Sequence, residues 1–598
     1  MAVKDREPTP TGGIGARRLQ EAVKPKNMKG TLSRLWALTS GHSKGLGWIL
    51  LCSAFASVSA ILSPYVIGKI IDRLNGGNPI LFLLLLLAGI YLCDWFARFM
   101  QQFMMVRVGE RIVAHIRKEL FGHIKSLPLS YFDKNTHGDL MSRLTNDVDN
   151  ISTTIASSLT QLMMLGFTIV GVLGIMLYLN VALTLVSLIS VLLVFILTRI
   201  ITKRTRVLFR EQQQYLGRMN GEIEEGISGL TMVKAYGRER AMFERFEQEN
   251  DALCRVGTKA LIWSGYLMPI MNVINNLSFL AVATVSGIMA AHALIPLSVV
   301  SSFVLYCRQL SRPFIDIANI YNTFQTAVAG AERIFEIFDE EPEPEDTPSA
   351  YRADKLEGRI QFEHVKFGYD SDRLILNDLN LTVPSGTKVA IVGETGAGKT
   401  TIINLLPRFY DVTEGRILLD GRDIRDYRRK DLRSAFGIVL QDAALFHMSV
   451  LENIRYGHKE ASREQVEAAA QAAGVDSLIR RLPDGYDTVL GERGSVLSQG
   501  ERQLITIARA ILADAPILIL DEATSSVDTV TEQKIRRAML KMTEGRTSFI
   551  IAHRLSTIRD SDVIILLDKG RIIEMGSHEE LMELDGQYAG LYRTQTGV

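Results

Sequence analysis

Cysteine is scarce: 598 residues hold only four, Cys52, Cys93, Cys254 and Cys307, and no two form a CxxC pair. This excludes a zinc knuckle and a disulfide framework, and leaves the thiols as small packed or lipid-facing hydrophobes. Charge of one sign is missing too. The chain has 67 Lys and Arg against 66 Asp and Glu, a formal net charge of +1. Without a bulk basic excess, no nucleic-acid partner is expected. No apolar run follows Arg17–Arg18, so the N-terminus is not read as a secretory signal. TGGIG at 11–15 has no strand before it and is not a phosphate loop; residues 1–30 are expected to be a flexible cytosolic tail. No short-period repeat is evident.

What is present divides into two unlike halves, which the overall 47% hydrophobic content averages away. Six stretches, near 48–71, 79–104, 155–179, 181–202, 262–288 and 295–318, can cross a bilayer, which takes about 20 apolar residues in a helix. The strongest contains LFLLLLLAGIYL (81–92). Their short connections, RLNGGNP (73–79), the turn at Asn180 and AAHALIP (290–296), hold almost no Lys or Arg beyond Arg73. Segments 105–153 and 203–260 are rich in both, TKRTRVLFREQQQ being one example. The positive-inside rule then puts both termini and both long segments in the cytoplasm, in a multi-pass protein of the cytoplasmic (inner) membrane. Helical periodicity in those segments predicts that the membrane helices extend into the cytosol. The expected divisions are a transmembrane region over 31–337, an acidic, proline-bearing linker over 338–357, and an α/β domain over 358–598, where RIQFEHVKF, KVAIVG, ILIL, SFIIAH and DVIILL alternate with helical segments.

The second half carries the chemistry. KVAIVGETGAGKTTIINLL reads as a strand, a glycine loop and a helix start. Gly393, Gly396 and Gly398 let the backbone approach phosphate, with Glu394, Thr395, Ala397 and Thr401 completing the loop. Lys399 can reach the β- and γ-phosphates of ATP, and the Thr400 hydroxyl can ligate Mg²⁺. PILILDEATSSVD is a buried strand ending in two carboxylates: Asp521 suits the metal, and Glu522 the orienting and deprotonation of a water. His553 ends the strand SFIIAH, at the sheet edge where α/β proteins bind ligands, and is placed to sense a γ-phosphate. Gln441 follows the strand GIVL and can reach both metal and attacking water; Tyr369 in VKFGYD can stack on adenine. LSQGERQ (497–503) opens a helix with Ser498 and Gly500, a second anion cradle.

Taken together these residues closely resemble the ATP-binding cassette (ABC) transporters. GETGAGKT matches the Walker A motif, ILILDE the Walker B motif with its catalytic glutamate, Gln441 the Q-loop, Asp528 in SSVD the D-loop, His553 the switch histidine, Tyr369 the A-loop aromatic, and LSQGE the signature LSGGQ. Six spans before one such domain resemble a type I exporter half-transporter, and YFDKNTHGDLMSRLTNDVDNI (131–151) and GLTMVKAYGRERAM (229–242) resemble its two coupling segments. The fold class implied is an α-helical six-span transmembrane domain followed by an α/β P-loop nucleotide-binding domain. The resemblance implies ATP and Mg²⁺ as cofactors, and a head-to-tail dimer in which Ser498 and Gly500 touch the ATP held by the partner. A glycine and a glutamine of the signature are here Gln499 and Glu501. That departure resembles the catalytic-glutamate-bearing subunit of heterodimeric bacterial exporters, so a second, different half-transporter is the favoured partner over a homodimer.

The implied function is ATP-driven export of an amphipathic or hydrophobic substrate: a drug, lipid or peptide. An ATP-gated channel or regulator on the same frame is the alternative. A soluble cassette ATPase fails on the six spans, and an importer on the fusion of the membrane helices to the cassette. Polar residues within the spans are candidate substrate contacts: Asn272, Asn275 and Asn276, and Asp94 and Arg98, which are four apart on a helix and suited to pair with each other.

Overall fold

The structure is a computed structural model and describes residues 27–39, 43–154, 160–353, 355–370, 373–441, 443–491, 497–521, 529–551 and 558–596. The chain forms two compact units: Met1–Leu127 with Asn135–Pro342, and Pro128–Lys134 with Glu343–Val598.

The first unit is helical. It comprises α1 (Met28–Thr39), α2 (Ser43–Asn75) and α3 (Leu81–Ser126). Helix α4 (Leu129–Lys134) belongs to the second unit, and the first resumes with α5 (His137–Ser142), a wider π turn at Arg143–Asp147, and α6 (Val148–Thr153). There follow α7 (Thr160–Leu179), α8 (Val181–Ser228), α9 (Leu230–Ala235), α10 (Glu239–Gly265), α11 (Leu267–Ala291) and α12 (Leu297–Phe338). The turn expected at Asn180 is there because its side chain caps α8, accepting from the Leu183 amide at 3.0 Å. Helix α8 has 48 residues; at 1.5 Å per residue it is about 70 Å long, well over twice the hydrocarbon thickness, so it runs on beyond the membrane.

Among the described residues five helical stretches are long and apolar enough to span: Lys44–Asn75, Leu81–Ser126, Thr160–Leu179, Val181–Ser228 and Glu239–Ala291. The sixth expected span falls on α12, where the described apolar stretch runs only over Leu297–Leu310 and Asp316 follows six residues later. Large apolar side chains such as Leu85 and Leu92 of α3 are about two-thirds exposed (65% and 68%), which a lipid surround explains and water would not. Large side chains such as Phe303 and Tyr306 fill the space between the helices, and small residues let α2 and α12 approach closely. A Cβ at Gly68 of α2 would lie 2.6 Å from the Ser298 carbonyl of α12, so only glycine permits this approach. The Tyr306 hydroxyl closes the same seam by donating to the Ile61 carbonyl at 2.7 Å.

The second unit contains two sheets. One is ordered β10-β9-β3-β8-β7-β6, the other β2-β1-β4-β5. The strands are β1 (Ile360–Phe367), β2 (Leu376–Val383), β3 (Lys388–Gly393), β4 (Glu414–Leu419), β5 (Arg422–Asp423), β6 (Phe436–Val439), β7 (Ile517–Asp521), β8 (Thr547–Ile551), β9 (Val563–Asp568) and β10 (Arg571–Gly576). Strands β6, β7, β8, β3 and β9 are mutually parallel, and only β10 turns back. Parallel strands are covered on both faces, which is why these segments read as unbroken apolar runs. Ile391, Ile551 and Asp521 share one rung across β3, β8 and β7, so the carboxyl ends of these strands finish together. The acidic stretch expected to be a linker is partly docked: Glu343 pairs with Arg433, and Asp346 accepts from the Arg429 amide at 3.1 Å.

Candidate functional site

The phosphate loop leaves β3 at Gly393 and enters the helix α13 (Lys399–Leu405). All three of its glycines are required by geometry, Gly396 because its φ is 88°. Gly398 has φ of 106°, left-handed backbone that side chains rarely adopt. A Cβ at Gly393 would come 2.3 Å from the Leu567 carbonyl of β9. Glu394, Thr395 and Gly396 form an exposed arc, while Ala397 and Gly398 anchor it from beneath. The Lys399 ammonium donates to the carbonyls of Gly393 (2.7 Å) and Glu394 (2.9 Å), folding the loop around itself. Burial holds its pKa below the ordinary lysine value of 10.5, with the Asp521 carboxylate pulling the other way. The buried ammonium is thus short of counter-charge, which an incoming triphosphate supplies.

Thr400 is exposed on the first turn of α13 and Asp521 half-buried at the end of β7. Gln441 is exposed two residues past β6. Hydroxyl, amide and carboxylate are hard oxygen donors of the kind Mg²⁺ takes alongside phosphate oxygens and water. No cluster of three acidic, His or Cys side chains able to hold a metal occurs among the described residues. Glu522, Asp528 and His553 lie outside the described residues.

Tyr369 sits between β1 and β2, 40% exposed, with its ring edge-on to Phe367 (5.0 Å) and Tyr410 (5.1 Å). Its hydroxyl is 3.3 Å from the Thr401 hydroxyl, which ties the ring to the phosphate loop. Tyr410 was missed at the level of sequence. Its hydroxyl hydrogen-bonds the Asp133 carboxylate of α4, so one aromatic ring touches both Tyr369 and a segment from between the membrane helices. Asp133 is 277 residues away, and no local pattern signals such a contact.

The second cradle opens the helix Gln499–Ala513. Ser498 caps it: its hydroxyl accepts from the Glu501 amide (3.3 Å), and the Glu501 carboxylate accepts from the Ser498 amide (2.7 Å). Gly500 is buried within its first turn. The helix packs on β6, where a Cβ on Gly437 would already touch the Ala510 carbonyl at 3.8 Å. Strand order puts β6 three positions from β3, or about 14 Å at 4.8 Å per strand.

Of the polar residues within the spans, Asp94 and Arg98 do pair, at 3.0 and 2.8 Å. The three asparagines of α11 do not act together. Asn272 and Asn276 are exposed, whereas Asn275 is half-buried with its Oδ1 unpartnered.

Comparisons with known proteins agree with this geometry. A family model described as the ABC transporter transmembrane region matches residues 46–314, and one described as ABC transporter matches 376–525. An uncharacterized ABC transporter ATP-binding protein, YfiC of Bacillus subtilis, is 45% identical over 96% of each chain. The fatty acid ABC transporter ATP-binding/permease protein of Mycobacterium tuberculosis is 44% identical over 81% of this chain and 76% of its own. The ATP-dependent lipid A-core flippase of Syntrophus aciditrophicus is 36% identical over 96% of each. Among solved structures, a bacterial Atm1-family ABC exporter with ATP bound superposes with a TM-score of 0.72 at 32% identity, covering 92% of this chain and 98% of that one. The chain belongs to the ABC exporters that fuse a transmembrane region to their own ATPase, and it is a multi-pass membrane ATPase coupled to transport.

Proposed function

We propose that this chain is one half of a heterodimeric exporter of an amphipathic or hydrophobic substrate, seated in the cytoplasmic membrane with both termini and the ATPase in the cytoplasm. The observation that carries the dimer is the separation of the two anion cradles. The phosphate loop leaves β3, whereas the helix that Ser498 caps packs on β6, three strands away in the sheet, so the chain carries two cradles built on different strands. Each cradle therefore faces a nucleotide shared with a partner. Glu501 supports the unlike partner: it sets a carboxylate at the helix start where the second nucleotide's γ-phosphate would lie. The partner's intact signature would complete the hydrolysing site over Gly393–Thr401 of this chain.

At that site Lys399 and the loop amides hold the phosphates, and Tyr369 faces the adenine. Thr400, Gln441 and Asp521 hold Mg²⁺, which when bound withdraws charge from the β- and γ-phosphates. Glu522 orients the attacking water and takes its proton, and His553 steadies the γ-phosphate. Closure of the two ATPase domains drives the membrane helices from one access state to the other, and hydrolysis resets them. The relatives named for a fatty acid and for lipid A-core support an acyl-chain amphiphile as cargo.

The test is ATPase activity of this chain purified alone in lipid, beside the chain carrying Glu522→Gln. Negligible turnover from a folded, ATP-binding chain, regained on adding an unlike half-transporter, is the expected result. Robust turnover alone, abolished by the substitution, would make the exporter a homodimer and sink the heterodimer.

A further inference from the structure

The membrane unit holds a cavity of about 740 Å³ between α2, α3, α7 and α12, within the roughly 300–1,000 Å³ typical of ligand pockets. Its walls include apolar Ile67, Met164, Leu165 and Leu305. Three charged side chains also line it: Arg98, Arg308 and Asp316. They are not equivalent. Arg98 is held by both oxygens of Asp94. Arg308 has no carboxylate within ion-pair reach among the described residues, and its guanidinium lies only over the Phe279 ring, 5.1 Å from the centroid.

Depth separates them further. Arg308 is eleven residues into α12, about 16 Å from its start and so near the middle of a hydrocarbon core about 30 Å thick. Asp316 is eight residues further, about 12 Å along the axis, close to the membrane surface where water can hydrate it. Arg98, seventeen residues into α3, lies about 25 Å from that helix's start, also near the surface. Of the three, Arg308 is therefore the cation placed at mid-membrane depth with no counter-ion among the described residues, and it is exposed to the cavity, where a bound anion can supply the charge. The neighbouring Gln309 cannot: its Nε2 donates to the Ala60 carbonyl at 3.2 Å and its Oε1 carries no full charge.

We propose that this cavity is a binding site for a carboxylate amphiphile, with the head group on Arg308 and the acyl chain along the apolar wall. The assignment rests on the exporter reading above and names its cargo. A carboxylate offers two oxygens to the guanidinium fork, and that charge-assisted pair is stronger than a neutral hydrogen bond.

The test is equilibrium binding to the full chain in nanodiscs without ATP, so its outcome does not depend on whether transport or the dimer is as proposed. The probes are radiolabelled oleate, oleyl alcohol, oleyl phosphate and oleylamine. Oleate is expected to bind more tightly than the alcohol. Arg308→Gln should weaken oleate about tenfold or more while leaving the alcohol unchanged, and Arg308→Lys, which keeps the charge and loses the fork, should restore part of the loss. Equal weakening of oleate and alcohol would mean that Arg308 only holds the helices in place, and would overturn the site. Oleyl phosphate binding more tightly than oleate would overturn the carboxylate in favour of a phosphate head group. Preferential binding of oleylamine, lost in Asp316→Asn, would overturn an anionic ligand altogether. An ATP-dependent thermal shift in each variant confirms that it has folded.

Discussion

Ser498 and Glu501 cap each other: the carboxylate of Glu501 takes the Ser498 amide at 2.7 Å, and the Ser498 hydroxyl takes the Glu501 amide at 3.3 Å. The pair stabilises the helix start and also places a negative charge there. The two effects can be separated, because glutamine caps as glutamate does but carries no charge. Glu501→Gln should leave thermal stability within about 0.5 kcal/mol. It should raise the ATPase rate of the chain alone by roughly fivefold, the equivalent of about 1 kcal/mol of relieved repulsion. Ser498→Ala removes the cap and should cost about 1 kcal/mol. An unchanged rate in Glu501→Gln would show that the carboxylate does not weaken the second site.

Lys399 predicts an opposition between stability and binding. Its folded pKa lies below the ordinary 10.5, first because of burial. The unfolded chain therefore holds that proton more firmly, and stability contributed by this residue rises with pH as the ordinary value is approached. At neutral pH the buried ammonium is a burden in the absence of nucleotide. Lys399→Met should raise the melting temperature of the nucleotide-free chain near pH 7, with a margin that narrows toward pH 9.5, while abolishing the shift that ATP produces. Differential scanning fluorimetry with and without ATP at both pH values checks each part. A variant that melts lower than the parent at pH 7 without nucleotide would refute the argument.

Tyr410 predicts a separation of nucleotide binding from docking. Its ring supports Tyr369, and its hydroxyl binds Asp133. Burial, and then the Asp133 carboxylate, push the hydroxyl above the ordinary tyrosine range, so it stays protonated and donates throughout the physiological range. Tyr410→Phe keeps the ring and loses one hydrogen bond to a charged group, about 1.5–3 kcal/mol. Amide exchange over Leu129–Lys134 should accelerate about tenfold or more, with ATP affinity within about twofold of the parent. Tyr410→Ala should weaken both. Unaltered exchange in Tyr410→Phe would show that α4 is held by other contacts.

How much of this was legible beforehand follows from the range of each interaction. The phosphate loop is local, a strand, three glycines and a helix start, and it lies where its spacing put it. The turn at Asn180 was likewise local, and the cap that makes it is three residues long. Asp94 and Arg98 could be paired because four residues span one helical turn. Of the three asparagines, Asn272 and Asn276 are exposed one turn apart, while Asn275 is half-buried, a difference that depends on what packs against the helix and not on spacing. Neither Tyr410–Asp133 nor an Arg308 with no counter-ion among the described residues could be read from spacing, since each depends on what other helices bring near it. The same applies to Glu343 and Asp346, whose acidic, proline-bearing setting suggests a linker until Arg433 and Arg429 are placed beside them.

Asp147 and Arg333 predict a result of the opposite kind, in which removing both charges costs less than removing one. Asp147 ends the π turn Arg143–Asp147 and is almost fully buried, its side chain 2% exposed. Arg333 of α12 reaches it with a fork, Nε to Oδ2 at 2.7 Å and a second bond from Nη2 to Oδ1. Gly330 lies beside it, where a Cβ would meet the Asp147 carbonyl at 3.4 Å, an ordinary packing distance. Asp147→Ala would take its forked partner from the half-buried Arg333 guanidinium, leaving the weaker attraction of Asp139 and Glu336, and should cost about 3 kcal/mol. Asp147→Leu with Arg333→Met replaces the pair by apolar groups of similar bulk and should recover most of that loss. Because large membrane proteins often unfold irreversibly, the measurement is the half-life of ATP-binding chain at a fixed elevated temperature. A double variant no longer-lived than Asp147→Ala would mean that the ion pair itself, and not the burial of an unpaired charge, holds the π turn against α12.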